Sequence, residues 1–358
     1  MTRPADSAPA ISMRGVTKIF GPDPAGALAA LRAGRSKAEL LADSGHVVGL
    51  DDVSLEIASG QIFVVMGLSG SGKSTLIRHV NRLMEPTAGE ILVHGEDVLG
   101  MSPDQLRTFR RTRVSMVFQK FGLLPHRSVL DNVAYGLEVR GATKAERQAE
   151  ARKWIETVGL AGYENARPRQ LSGGQQQRVG LARALALDTD IILMDEAFSA
   201  LDPLIRSGMQ DQLMSLQKQL NKTILFITHD FDEALKIGDR VAVLKDGTVQ
   251  QEGRPEDIVL NPANTHIEEF VRDVNKARAI RVRTIMETGP GEPCEVAVPP
   301  ETRCEDVLPM FAQHERVGVL DAAGNQVGRV TARRVIGALA RHETRAAAAR
   351  PAALEAAQ

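Results

Sequence analysis

Apolar residues along the chain fall into two patterns: short continuous runs, and longer stretches where they recur every three or four positions. ISMRGVTKIF (11–20) predicts a strand closed by an aromatic. Residues 21–50 break the sheet pattern. There PAGALAALRAG and SKAELLADSG predict two short helices, the second opened by a capping box of Ser36 and Glu39, with Gly34 and Gly45 at helix ends. QIFVVMG gives a buried strand running into a glycine loop, and KSTLIRHVNRLM follows as a helix with Leu76, Ile77, Val80 and Leu83 at helical spacing. EILVHG and VSMVFQ predict further short strands. From about 126 to 188 the pattern is largely helical, with Thr143 capping KAERQAEARKWIETVG and Trp154 packed on that helix's apolar face. DIILMDE and TILFITHD are unbroken apolar runs ending in acids or histidine, as in parallel strands covered on both faces. RVAVLKDGTVQQEG predicts a hairpin turning at Asp246-Gly247.

Near residue 275 the pattern changes. KARAIRVR is basic, and ETGPGEP reads as a linker from its Gly and Pro. A small unit follows: a helix near RCEDVLPMFAQH, strands RVGVLD and QVGRVT, then the helical ARRVIGALA. The expected organisation is an α/β domain over 1–275, with a helical insert at 21–50 and a helical subdomain at about 120–188. A linker and small α+β unit occupy 276–340, and a low-complexity tail 341–358.

Composition adds little to this picture. With 358 residues, 43% hydrophobic and 25% charged, the chain has material for a sizeable core. A net charge of −1 gives no reason to expect a nucleic-acid partner. MTRPADSAPAISMRG lacks a secretory h-region, and no apolar run is long enough to span a bilayer. Cys294 and Cys304, without clustered histidines, are expected to be free thiols in a reducing cytosol.

The candidate chemistry begins at the glycine loop. GLSGSGKST, Gly67, Leu68, Ser69, Gly70, Ser71, Gly72, Lys73, Ser74 and Thr75, satisfies G-x-x-x-x-G-K-[ST] between a strand and a helix. Glycines let the backbone wrap the phosphates of ATP, Lys73 neutralises them, and Ser74 offers its hydroxyl to Mg²⁺. Asp195 ends a buried strand, placed to hold Mg²⁺ through water, and Glu196 follows as the group to orient and deprotonate an attacking water. Gln119, after VSMVF, is expected to reach the metal or the water, and His229, after LFIT, the γ-phosphate, since ligands sit at the carboxyl ends of parallel strands.

A second phosphate-directed segment is LSGGQQQR, Ser172, Gly173, Gly174 and Gln175 among it. Ser172 and Gln175 form a capping pair, which needs no glycines, and each glycine weakens a helix by roughly 1 kcal/mol. They make sense if something approaches the backbone. One economical arrangement has two copies of the chain facing head to tail, each helix N-terminus closing the other's ATP as an arginine finger does.

In this order GLSGSGKST, VFQKFGLLPH, LSGGQQQR, IILMDE, SALD and ITHD resemble the motifs of an ABC transporter ATPase over about 11–272. The resemblance implies that Asp202 couples the two sites and that Phe20 lies under adenine, with Phe20 as plain core the alternative. The insert at 21–50, Leu68, and DEAFSALDPLIR at 195–206 resemble one branch, the importers of glycine betaine, proline betaine and choline. That branch implies two ATPases at the cytoplasmic face of the membrane, integral permease subunits and an external solute-binding protein, with KFGLLPHRSVLDNV resembling the permease contact. The late unit resembles a single CBS motif. Adenosine-binding CBS repeats often carry an aspartate near the position of Arg334, so Arg329, Arg333 and Arg334 are left to solvent or to anionic lipid. The alternatives are an importer of an amino acid or other small solute, and a soluble ABC ATPase on DNA or ribosomes. Against the latter, only about 120 residues separate the two nucleotide motifs, without heptads, and the chain carries one cassette. A non-hydrolysing module is disfavoured by Glu196 and His229.

Overall fold

An apolar run with no polar side needs cover on both faces, and in the computed structural model these runs form the middle of a sheet. The structure describes residues 8–119, 121–272, 274–289 and 291–340. The first seven residues, the start of the stretch read as lacking an h-region, and the tail at 341–358 lie outside the described residues, as does Lys120 of the stretch resembling a permease contact. The chain divides into two units, changing over after Glu252.

The first unit runs β1 (Ile11–Phe20), α1 (Pro24–Arg32), α2 (Lys37–Ser44), β2 (Val47–Ile57), β3 (Ile62–Met66), α3 (Lys73–Val80), β4 (Ala88–Val93), β5 (Glu96–Asp97), α4 (Pro103–Thr112), β6 (Val114–Val117), α5 (Val129–Val139), α6 (Lys144–Thr157), α7 (Gly173–Ala186), β7 (Ile191–Asp195), α8 (Pro203–Leu220), β8 (Thr223–Thr228), α9 (Phe231–Ile237), β9 (Arg240–Lys245) and β10 (Thr248–Gly253). One sheet has the order β10-β9-β3-β8-β7-β6. Its strands β3, β6, β7, β8 and β9 are parallel, and every residue of β3, β7 and β8 is buried. The second sheet, β2-β1-β4-β5, is antiparallel. Met13 and Leu55 from this sheet, Phe63, Val65, Leu193 and Leu225 from the other, and Leu76 and Ile77 from α3 share one core. This is the mixed-sheet P-loop architecture expected, with α5, α6 and α7 as its helical part.

Local signals held where their chemistry is autonomous. Ser36 and Thr143 both make reciprocal capping boxes, and Gly45 closes α2 in the left-handed conformation. Trp154 is buried and donates its indole N–H to Glu150 at 2.8 Å. Asp246 and Gly247 turn the hairpin at φ 48° and 75°. The sequence pattern missed β2. It begins at Val47, inside the stretch 21–50 read as a helical insert, and its Asp51-Asp52 pair interrupts the apolar pattern, with Asp52 at φ 52° beside register shifts in the pairing with β1.

The second unit contains α10 (Pro255–Leu260), α11 (Thr265–Arg272), α12 (Lys276–Ala279), α13 (Val282–Ile285), β11 (Glu287–Thr288), β12 (Ala297–Val298), α14 (Cys304–Val307), β13 (Arg316–Leu320), β14 (Gln326–Thr331) and a helix over 332–340. Its sheet order is β11-β14-β13-β12. It starts ahead of the compositional change because Leu260 packs on the cluster around Ile280, Val282, Val317 and Val330. The stretch read as a linker is partly structured: Glu287 and Thr288 pair with Arg329 and Gly328. Of the three arginines singled out, two share one partner. Arg329 meets Glu287 at 2.9 Å and Arg334 meets it at 3.2 Å, while Arg334 also donates to the Ile285 carbonyl. Arg333 is exposed.

Candidate active site

Strand register assembles the site. Met66 of β3 lies opposite Thr228 of β8, and Asp195 of β7 opposite Ile227. Gly67, Glu196 and His229 therefore leave one edge of the sheet at nearly the same level. Val117 pairs with Met194, which carries the chain toward the same edge two residues before Gln119.

The glycine loop is shaped by what its neighbours exclude. Gly67 has φ 159°, and a Cβ there would strike the Leu244 carbonyl. Gly72 has φ 101°, and its Cβ would come within 2.5 Å of the Gly49 carbonyl. Gly70, at φ 82°, faces open space. Leu68 and Ser69 are exposed, Ser71 is buried, and Thr75 lies in the first turn of α3. Lys73 is 4% exposed, and its ammonium donates to the Gly67 and Leu68 carbonyls, each at 2.8 Å. Burial pushes the Lys73 pKa down, and the charges of Glu196 and Asp195 oppose that shift.

Asp195 is 2% exposed, so its charge needs partners. Ser74 donates its hydroxyl at 2.8 Å, and Arg78 approaches the other oxygen at 3.4 Å. Sequence reasoning missed Arg78. The available signal was its place one helical turn beyond Ser74, on the same face.

Glu196 is the hub. Its carboxylate accepts from the Gln119 amide at 2.9 Å, lies 3.4 Å from His229 Nδ1 and 4.0 Å from Lys73 Nζ. Gln119 thus reaches the glutamate, whereas Ser74 and Asp195 pair with each other. Glu196 has φ 46°, a conformation that costs a non-glycine residue of order 1 kcal/mol or more. Its N–H donates to the Ile227 carbonyl at 3.0 Å, and its own carbonyl accepts from Ser199 N–H and Oγ. These bonds hold the strained residue from both sides, aiming its side chain out of the strand edge.

Phe20 is 38% exposed at the end of β1, with Lys18 Nζ 5.2 Å from its ring centroid. It is not a core residue. Asp202 caps α8, accepting from Ile205 N–H at 3.0 Å. Four residues on, Arg206 joins Asp230, the neighbour of His229, at 2.9 Å and donates to the Leu201 carbonyl at 3.1 Å. Arg206 is a second residue the sequence reading passed over, although it lies one turn from Asp202.

The second phosphate-directed segment does form a helix N-terminus. Ser172 caps α7, its Oγ accepting from Gln175 N–H at 3.3 Å while the Gln175 side chain accepts from Ser172 N–H. Its two glycines have different surroundings. Gly173 is exposed, and among the described residues only Phe121 lies within reach of an added Cβ. A Cβ on Gly174 would meet Ile205 Cγ2 at 2.8 Å, the end of a partly exposed side chain that would have to shift.

The ABC transporter family model matches residues 50–199, spanning the glycine loop, the Ser172 helix and Glu196. The chain is 54% identical over 276 residues to the glycine betaine transport ATP-binding protein OpuAA of Bacillus subtilis, covering 77% of this chain and 66% of that one. It is 48% identical over 326 residues to the trimethylamine N-oxide transport system ATP-binding protein TmoW of Ruegeria pomeroyi, covering 88% and 96%. Among solved structures, a dimeric post-hydrolysis ATP-binding cassette bound to ADP and Pi aligns with TM-score 0.58 and 34% identity, over 68% of this chain and 97% of that one.

Proposed function

Because this chain belongs to the ABC transporter ATPases, as an ATP-binding component of the betaine importer branch, we propose that it drives uptake of a quaternary ammonium solute, or a close analogue such as an amine oxide, through separate permease subunits. The observation that carries this is the cluster at the sheet edge, where Lys73, Gln119 and His229 converge on Glu196 beside the Ser74–Asp195 pair. The P-loop backbone and Lys73 hold the phosphates of ATP. Ser74 and Asp195 present hard oxygen donors 2.8 Å apart, a donor set that suits Mg²⁺ with several of its waters retained. Bound there, Mg²⁺ supplies positive charge against the phosphate oxygens. Glu196 takes the proton of the attacking water. Gln119 fixes its carboxylate, and His229, half exposed beside it, donates toward the γ-phosphate. Phe20 supplies a flat face for the base.

Ser172 and Gly173 complete the site of a second copy, and Asp202 lies at the junction. Their exposure, the local character of their hydrogen bonds and the dimeric state of the solved cassette support this reading. A groove of about 330 Å³ lined by Phe118, Leu124, Tyr135, Val139 and Leu187 suits a cytosolic permease helix. Buried Asn132 shapes it by bonding Leu124 N–H and the Leu124, Arg127 and Ser128 carbonyls. Among the described residues no helix is long and apolar enough to cross a membrane, so attachment at the cytoplasmic face would run through that groove. The second unit is read as one CBS-like regulatory motif, in which Arg334 stands where an adenosine-binding aspartate often does.

The test is ATP turnover and solute uptake by the chain reconstituted with its permease and solute-binding protein. The reading expects ATP-dependent uptake of glycine betaine, choline, proline betaine or trimethylamine N-oxide in preference to proline. Uptake of an amino acid instead, or turnover with no transport, would overturn it.

A further inference from the structure

The helical insert between β1 and β2 packs through a small apolar patch, Ala27 and Leu40 against Ile19 and Val48. Its ends are tied by His46, which accepts from Asp23 N–H at 3.1 Å and meets Ser44 Oγ at 2.8 Å. One polar arm leaves it for the far end of the sequence. Lys37, the first residue of α2, donates to the carbonyl of Asp246 at 2.7 Å and pairs with Asp51 at 3.0 Å. A cation in the first turn of a helix opposes the helix dipole, so its helix gives no reason for lysine at that position.

The turn that Lys37 grips touches both halves of the proposed nucleotide site. Gly247 N–H donates to the Ser71 carbonyl of the P-loop at 3.0 Å, and Gly247 accepts from Asp51 N–H at 2.9 Å. A Cβ on Gly247 would come within 2.7 Å of the Gly49 carbonyl, and the same carbonyl lies against Gly72 of the P-loop. Gly49 also supports the base platform, since a Cβ there would meet Phe20 Cε2 at 2.7 Å. The P-loop, the 246–247 turn and the β2 backbone beneath Phe20 therefore meet at one junction, packed largely backbone on backbone, with the buried Leu50 side chain against Gly72.

We propose that Lys37 is a positioning residue for ATP: through the 246–247 turn it sets the P-loop and Phe20 relative to each other, and the insert exists on this chain to hold it. The proposal rests on Phe20 and the P-loop forming the ATP site. Because Lys37 contacts neither the Glu196 cluster nor Ser172, its loss weakens nucleotide binding and leaves the chemical step alone.

The experiment is steady-state ATPase kinetics of the full chain in its reconstituted complex. It compares wild type, Lys37→Ala, Lys37→Arg and Asp246→Asn, with thermal unfolding in parallel. Lys37→Ala is expected to raise KM for ATP about fivefold or more with kcat within about twofold. Lys37→Arg recovers most of the loss, because a guanidinium also spans carbonyl and carboxylate. Asp246→Asn matches wild type, since the acceptor is the backbone carbonyl. An unchanged KM in Lys37→Ala, a fall in kcat alone, or no rescue by Lys37→Arg would overturn the proposal while wild-type turnover leaves the ATPase reading intact. Absence of turnover in wild type would overturn both.

Discussion

A single backbone angle carries much of the chemistry. Glu196 at φ 46° is held by the Ile227 carbonyl on one side and Ser199 on the other, and this turns its carboxylate toward Gln119, His229 and Lys73. Glu196→Gln keeps the shape and removes the proposed base. Turnover should fall by about 10²- to 10⁴-fold with ATP binding retained, checked by single-turnover hydrolysis alongside equilibrium nucleotide binding. A second expectation concerns the thiols. Burial pushes the Cys304 thiol up to about 12, whereas Cys294 is only partly covered. Near neutral pH a thiol reagent should therefore label Cys294 in the native chain and Cys304 only after unfolding. Since the folded state raises the Cys304 pKa, the stability this thiol contributes is intact below its ordinary value of 9.0 and falls as pH climbs toward about 12.

At the scale of elements, legibility followed locality. The capping boxes at Ser36 and Thr143, the Asp246-Gly247 turn and the buried strands β3, β7 and β8 are each specified by neighbours in sequence, and each was readable. β2 was not, because Asp51 and Asp52 serve a bulge and the Lys37 pair that only the folded chain reveals. β11 was hidden for a similar reason: two residues among glycines and prolines become a strand only when β14 lies beside them. In the site, Lys73, Ser74, Asp195 and Glu196 were legible from spacing. Arg78 and Arg206 were not, since their partners are remote in sequence. The two glycines of the α7 N-terminus bear on function more than on stability. Gly174→Ala meets the Ile205 Cγ2 methyl, the end of a partly exposed side chain that must turn aside, and this offsets part of the helix gain of about 1 kcal/mol, so Tm should change little. Gly173→Ala meets only an ordinary contact with Phe121 among the described residues, so its Tm should hold or rise, by up to about the 1 kcal/mol that a helix glycine costs. On the proposed pairing its ATPase should nevertheless fall, because the added methyl would occupy the surface offered to a second copy's nucleotide. Calorimetry and turnover on the same two variants check both.

At the scale of the molecule, the proposed base, phosphate loop and metal donors lie in one chain, while the bonds of Ser172 and Gln175 at the α7 N-terminus are, among the described residues, to each other. On the proposed reading, such a chain turns over ATP only when paired with a second copy. The measurement that bears on this most directly is the particle mass of the Glu196→Gln variant by sedimentation, with and without Mg²⁺ and ATP. The account predicts a shift from the 38.7 kDa chain to twice that mass on adding the nucleotide, abolished by Ser172→Arg. A variant that binds ATP yet sediments as a single chain at every protein concentration would contradict it.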